Sequence, residues 1–169
     1  DALAQGMDSG EASDSDLEAS LVRLNRWDNS KGDGESPAML KKELQQCMQL
    51  NFGVFRKEAP MLEGIKKLEE LRERIGKASL NDDSRAFNTA RLEALELDNL
   101  LEIAEATAIS ASGRRESRGA HARDDFQTRD DENWLCHSIF DPNTKTLSKR
   151  DVNFAPKTVP TFEPMERTY

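Results

Sequence analysis

Apolar residues recur every three or four positions from about Leu17 to Ala111, and that rhythm stops near Gly113. The repeat is that of amphipathic helices, whose apolar stripe faces a shared core. Ser15 followed three residues later by Glu18 reads as a capping box, and Leu17, Leu21 and Leu24 then share one face of a short leading helix that runs to about Trp27. Asn29, Gly32 and Gly34 lie in a turn-forming stretch from Asp28 to Glu35. Ser36 before Pro37 restarts a helix as N-cap and first helical residue. Leu40, Leu44, Met48 and Phe52 carry its stripe, widened by Cys47 and Phe55. Gly53 and Pro60 are read as an interruption, after which Met61, Ile65, Leu68 and Ile75, with Leu62 and Leu71 beside them, predict a third helix ending near Gly76.

Beyond the polar Asn81-Asp82-Asp83-Ser84 connection, Ala90, Ala94, Leu97, Leu101, Ala104, Ala108 and Ala111 alternate four and three residues apart. That is the spacing of a bundle seam, and its small residues let neighbouring helices approach closely. Leu92, Leu95, Leu100 and Ile103 lie off the seam, so this helix is expected to meet neighbours on two sides and to be central. After it, Pro142, Pro156, Pro160 and Pro164 punctuate a region without sustained period. Two runs there, Trp134 to Phe140 and Thr146 to Phe154, flank Asp141-Pro142-Asn143-Thr144-Lys145 and predict a hairpin. Residues 155–169 read as an extended arm. The fold class is therefore all-α: an up-and-down three-helix bundle with a short leading helix, then a mostly irregular C-terminal tail containing a small β-hairpin. The expected units are an acidic flexible linker at 1–14, the bundle at 15–112 and the remainder at 113–169.

Composition narrows the function classes. The 169 residues suit one domain with a real core, while 36% hydrophobic and 33% charged residues, with a mean hydropathy of -0.77, imply long solvated helix faces. No run approaches the roughly 20 apolar residues of a membrane span, and no signal-peptide pattern opens the chain, so any membrane association is expected through partners. A net charge of -8 argues against a general nucleic-acid binder, whose affinity rests on phosphate neutralisation. Cys47 and Cys136 read as two ordinary reduced thiols; with His121 and His137 they lack the paired short spacing of a zinc site. No metal ligand is expected.

The stretch Arg115-Glu116-Ser117-Arg118-Gly119-Ala120-His121, followed by Arg129-Asp130-Asp131-Glu132-Asn133-Trp134-Leu135-Cys136-His137, is unexplained by composition. With Leu21-Val22-Arg23-Leu24-Asn25-Arg26-Trp27, Glu96-Leu97-Asp98-Asn99-Leu100 and the final Arg167-Thr168-Tyr169, it resembles the C-terminal region of succinate dehydrogenase flavoprotein subunits, within the wider succinate dehydrogenase and fumarate reductase flavoprotein family. The resemblance covers nearly the whole chain. It implies a parent that oxidises succinate to fumarate through FAD and passes electrons to an iron-sulfur subunit and quinone, peripheral on the cytoplasmic side of a bacterial inner membrane. The flavin and dicarboxylate sites of that family lie upstream, in flavin-binding and capping domains. No G-x-G-x-x-G loop opens a strand-helix unit here, and the chain begins at Asp1 without Met. An excised C-terminal domain is the expectation, with residues 1–14 as linker from the flavin domain and no catalytic, cofactor-binding or metal residue of its own. An equivalent piece of a fumarate reductase or L-aspartate oxidase shares the Arg-Glu-Ser-Arg-Gly core; a free-standing helical adaptor would need no upstream domain.

Arg114, Arg115, Glu116, Arg118, Gly119, His121 and Arg123 are the candidate interdomain contacts. Planar guanidinium groups at a sharp turn suit carboxylates or carbonyls of a neighbouring domain. The competing reading is internal pairing with Asp124, Asp125, Asp130, Asp131 and Glu132. His121 has a side chain suited to proton transfer, yet without a positioned partner and substrate pocket it is expected to be a structural hydrogen-bonding histidine. Ser117 sits near it without a G-x-S-x-G elbow. Trp27 and Trp134 are read as packing anchors.

Overall fold

The computed structural model describes residues 13–28, 32–82, 84, 86–162 and 165; most of the expected linker, the terminal Arg167-Thr168-Tyr169 and parts of two connections lie outside them. Four long helices dominate: α1 (Asp14–Asp28), α2 (Pro37–Phe52), α3 (Glu58–Gly76) and α4 (Thr89–Gly113). The domain is mainly helical, with a C-terminal hairpin.

α4 is the hub. Ala94, Leu97, Leu101, Ala104, Ala108 and Ala111 are all buried, as the seam requires, and α4 packs against α1, α2 and α3. Glu105 is also buried in this stripe, where Arg72 of α3 holds it bidentately at 2.5 and 2.7 Å and Lys145 adds a second cation. The second apolar side of α4 is not covered: Leu92, Leu100 and Ile103 are exposed, and Leu95 alone of that group packs against the core. α2 contributes Leu40, Leu44, Cys47 and Phe52, and α3 contributes Met61, Leu68, Leu71 and Ile75. Gly64 lets α3 approach the end of α2, since a Cβ there would lie 2.5 Å from the Phe52 ring and 2.6 Å from Asn51 Cβ.

Several local expectations need correction. The capping box at α1 is Ser13 with Asp16: Ser13 Oγ accepts from the Asp16 N–H at 3.2 Å while Asp16 accepts from the Ser13 N–H at 3.3 Å. Ser15 and Glu18 both lie inside the helix. α1 is nearly as long as α2, and its Leu17, Leu21 and Leu24 stripe faces outward; Trp27, at 2% exposure, is its anchor. Its Nε1–H donates to Asp98 at 2.9 Å, and Arg26 pairs with the same carboxylate at 3.0 Å while stacking 4.1 Å from the Trp27 ring. Arg23 donates to Asn99. Two segments that resemble the flavoprotein family therefore meet across the α1–α4 interface. Ser36 is the α2 N-cap with Pro37 at N1, as expected, though its side chain makes no cap hydrogen bond. Pro60 does not interrupt: it sits in the first turn of α3, where its missing N–H would have no intrahelical partner anyway. Phe55 leaves the α2 stripe for a two-residue strand, β1 (Phe55–Arg56), where it is exposed.

The chain beyond α4 is more ordered than its composition suggests. β2 (Ala122–Arg123) pairs in parallel with β1, Phe55 opposite Ala122 and Arg56 opposite Arg123. A one-turn helix α5 (Asp131–Trp134) is capped by Asp130, whose carboxylate accepts from the Asn133 N–H at 3.0 Å. β3 (Cys136–Asp141) and β4 (Thr146–Asp151) form the expected antiparallel hairpin, Cys136 opposite Asp151 through Asp141 opposite Thr146. Trp134 and Leu135 precede the strand. β3 and β4 both pack on α4.

Candidate functional site

The arginine-rich segment forms a corner at the carbonyl end of α4. Gly119 adopts a φ of +58°, a left-handed conformation that glycine takes at little cost, and lets Arg118 and His121 close a backbone bridge at 2.9 and 3.0 Å. That turn sends the chain back along β1.

Arg123 is the central brace. It is 1% exposed, and its guanidinium grips Asp125 bidentately at 2.7 and 2.8 Å. Nη1 donates to the carbonyls of Ala111, Ser112 and Arg114 at 3.3, 3.3 and 3.1 Å, which helix geometry leaves without partners at a C-terminus. Asp125 also accepts the Glu58 N–H at the start of α3, at 2.9 Å. A cation at a helix C-terminus and an anion at an N-terminus each complement the backbone dipole, so this pair ties α3 to α4. The Arg123 partnership holds the Asp125 carboxyl at about 2, aided by the Glu58 N–H.

Glu116 is fully buried and accepts from Arg118 at 2.8 and 3.0 Å, from the Asp130 N–H at 2.9 Å and from Arg114. Burial alone would raise its pKa, but these hydrogen bonds outweigh it and the net shift is downward. Arg114 also donates to the carbonyls of Trp134 and Cys136, binding the corner to the start of the hairpin. The half-buried Trp134 has Arg114 5.3 Å and Lys149 3.9 Å from its ring. Arg118 reaches out to Asp131 at 2.5 Å. Of the four candidate arginines Arg115 alone faces solvent, at 63% side-chain exposure, with a loose 3.6 Å pairing to Glu58.

His121 bridges two elements. An arginine can only donate, so Arg56 Nη1 donates to Nδ1 at 2.8 Å, and Nε2–H then donates to the Arg114 carbonyl at 3.2 Å. The ring is neutral in this arrangement. Burial, reinforced by Arg56, Arg123 and Arg114, lowers its pKa despite that carbonyl. Ser117 Oγ donates to the Phe126 carbonyl and accepts the Arg123 N–H, both at 2.8 Å; it has no base beside it. His137 lies on β3, exposed. Cys47 and Cys136 are free thiols, and among the described residues no cluster of His, Cys, Asp or Glu is arranged to hold a metal.

The structure therefore brings all seven candidate residues together and engages Arg114, Glu116, Arg118, His121 and Arg123 within the chain. Sequence reasoning missed Arg56, which a glycine-marked turn separates from α2; it named Asp125 as a pairing partner of the arginines, but not its second contact, with the start of α3. The described residues contain no glycine-rich turn from strand to helix, and β1 and β2 are two residues each, so nothing here fits the pyrophosphate cradle of a flavin dinucleotide. No described helix is long and apolar enough to cross a membrane.

Comparison with known proteins places this corner in context. Residues 41–169 match the family described as "Fumarate reductase flavoprotein C-term". The succinate dehydrogenase flavoprotein subunit of Coxiella burnetii is 47% identical over 152 residues, covering 90% of this chain and 26% of that protein. The fumarate reductase flavoprotein subunit of Mycobacterium tuberculosis H37Rv is 34% identical over 149 residues, covering 88% and 25%. Among solved structures, a chain of E. coli quinol fumarate reductase superposes with a TM-score of 0.77 at 34% identity, covering 96% of this chain and 29% of that one. The chain thus spans about a quarter of the length of these relatives, and it belongs to the succinate dehydrogenase and fumarate reductase flavoprotein family as its C-terminal domain.

Proposed function

We propose that this chain is the C-terminal structural domain of a succinate dehydrogenase flavoprotein subunit, and that it braces the flavin-bearing part of that subunit. The observation that carries this reading is the 47% identity to a succinate dehydrogenase subunit over 90% of the chain but 26% of the relative. The parent oxidises succinate to fumarate through FAD bound upstream and delivers electrons to an iron-sulfur subunit and quinone. It is held peripherally on the cytoplasmic side of a bacterial inner membrane by its partner subunits. Residues 1–14 link the bundle to the flavin domain, 15–112 are the brace, and 113–169 carry the docking corner.

Within that corner the roles divide. Arg123, Glu116 and Arg114 hold the domain together, which leaves Arg115, the outer face of Arg118 and the turn at Gly119 to meet the flavin and capping domains. The uncovered α4 side chains Leu100 and Ile103 add apolar surface for a neighbour, the iron-sulfur subunit being the second candidate. The fumarate reductase relatives at 34% identity share the same architecture, so the direction of the parent's reaction rests on the higher identity to a succinate dehydrogenase.

Arg115→Ala and Arg118→Ala, introduced into the longer subunit, test this reading. Expected is weaker flavin retention and slower succinate-dependent dye reduction, with Arg115→Ala leaving the melting temperature of the isolated chain unchanged. Full activity and full flavin content in both variants would remove the docking role. The isolated chain should be colourless and should reduce no dye; a flavin spectrum would contradict the assignment.

A further inference from the structure

Among the described residues, five of the corner's carboxylates already face cations. Asp125 serves Arg123, Glu116 serves Arg114 and Arg118, Asp131 serves Arg118 and Arg129, Glu58 faces Arg115, and Asp124 faces Lys57 at 3.4 Å. Arg56 has none. Its Nε donates to the Phe52 carbonyl at 3.2 Å and its Nη1 to His121 at 2.8 Å, both neutral acceptors, and the charged neighbour that acts on it is Arg123, a second cation. Nη2 makes no hydrogen bond among the described residues, while every fully buried side-chain nitrogen does, so Nη2 reaches open space.

Arg56 lines a recess of about 750 Å³ between the C-terminal half of α4 and the start of β3. No described Asp or Glu lines it. Its polar lining includes Arg56, Arg114, Arg118, His121 and His137, and Ile103, Trp134, Leu135 and Val152 are among its apolar walls. A half-buried guanidinium without a counter-ion is costly unless an anion arrives. One uncompensated positive charge calls for one negative charge, and a planar fork of N–H groups matches a carboxylate in shape. A phosphate dianion would leave a charge unmatched against apolar walls. The walls suit a short carbon skeleton.

From this geometry we propose that the recess is a carboxylate-binding site, with Arg56 as its anchor and neutral His121 holding the Arg56 guanidinium in place. The carboxylate comes either from an acidic side chain of the preceding part of the subunit or from a free small carboxylic acid. The site does not rest on the docking reading, because a small carboxylate added to this chain probes it directly.

Proton NMR of the two histidine rings, assigned with His137→Gln, reads occupancy during titration with sodium acetate against sodium chloride at equal ionic strength. Acetate should shift the His121 signals saturably and chloride should not. Arg56→Gln should weaken acetate binding at least tenfold, and Arg115→Gln should leave it unchanged. Should Arg56→Gln fail to fold by circular dichroism, Arg56→Lys keeps the charge without the fork and should also weaken binding at least tenfold. A linear, chloride-like response in the folded wild-type chain, or saturable binding that survives the Arg56 substitution, overturns the proposal. Phenylglyoxal labelling of Arg56 in the longer subunit then separates the sources. An upstream side chain leaves Arg56 unreactive with or without acetate, a free ligand leaves it reactive until acetate is added, and reactivity that acetate never suppresses overturns the site.

Discussion

Replacing Glu116 with Gln removes one charge from the middle of the corner at nearly constant shape. The carboxylate has no exposed surface and is surrounded by donors from Arg114, Arg118 and the Asp130 N–H. A glutamine amide can still accept on its oxygen, but its NH2 group faces donors, and the two guanidinium groups lose the charge between them. Removing one partner of a buried ion pair costs about 3–5 kcal/mol. Arg114 keeps the Trp134 and Cys136 carbonyls, Arg118 keeps Asp131, and both retain some solvent contact. The loss therefore falls at the lower end, about 3 kcal/mol. At about 2–4 °C per kcal/mol for a chain of this size, the melting temperature should drop by about 6–12 °C. Urea unfolding followed by circular dichroism, with Arg115→Gln as the exposed control, measures it. The control should cost no more than about 0.5 kcal/mol, as exposed pairs do. A Glu116→Gln loss below about 1 kcal/mol, the range of surface pairs, would refute the picture of a buried clamp.

The remaining predictions concern protonation and packing. The folded pKa of His121 lies below its ordinary 6.5, so the unfolded chain binds its proton more readily; stability is complete above that value and falls as pH drops through it. His121→Gln should flatten the stability profile between about pH 7 and 5, and an unchanged slope would show that His121 is not the group involved. Gly64→Ala should destabilise the chain by about 1–3 kcal/mol through overpacking against Phe52 and Asn51, outweighing alanine's better helix propensity. Gly113→Ala meets only the flexible tip of Leu147 and should change stability by less than about 1 kcal/mol in the same urea assay. Ala104→Pro places a ring and a missing N–H in the buried seam of α4, at a cost of about 3 kcal/mol or more, and a melting temperature equal to wild type would contradict the central helix.

The bundle was legible because burial imposes the helical period directly: the alternating seam from Ala94 to Ala111 is the buried stripe of α4. Where two local signals compete, the sequence is ambiguous. Ser13-Asp16 and Ser15-Glu18 have the same spacing, and only the helix start decides between them. Leu92 and Leu100 of α4 and the leucines along α1 look like core, yet they stay exposed among the described residues. Glu105 breaks the apolar pattern while being buried, because Arg72 and Lys145 come from distant segments to neutralise it. The same applies at the corner. The motif marked the right residues, but whether an arginine points inward was fixed by the β1–β2 pairing and by Asp125, contacts of two or three residues that leave no periodicity to read.

Hydrogen exchange of this chain alone, compared peptide by peptide with the longer subunit that contains it, bears most directly on the claim that the domain braces the flavin-bearing part. The account predicts added protection in the longer subunit at the Arg115–His121 turn and along the exposed Leu100–Thr107 face of α4, with little change at Arg123 and the buried seam, which are already closed. Identical exchange in the two proteins across the turn and that face would contradict it.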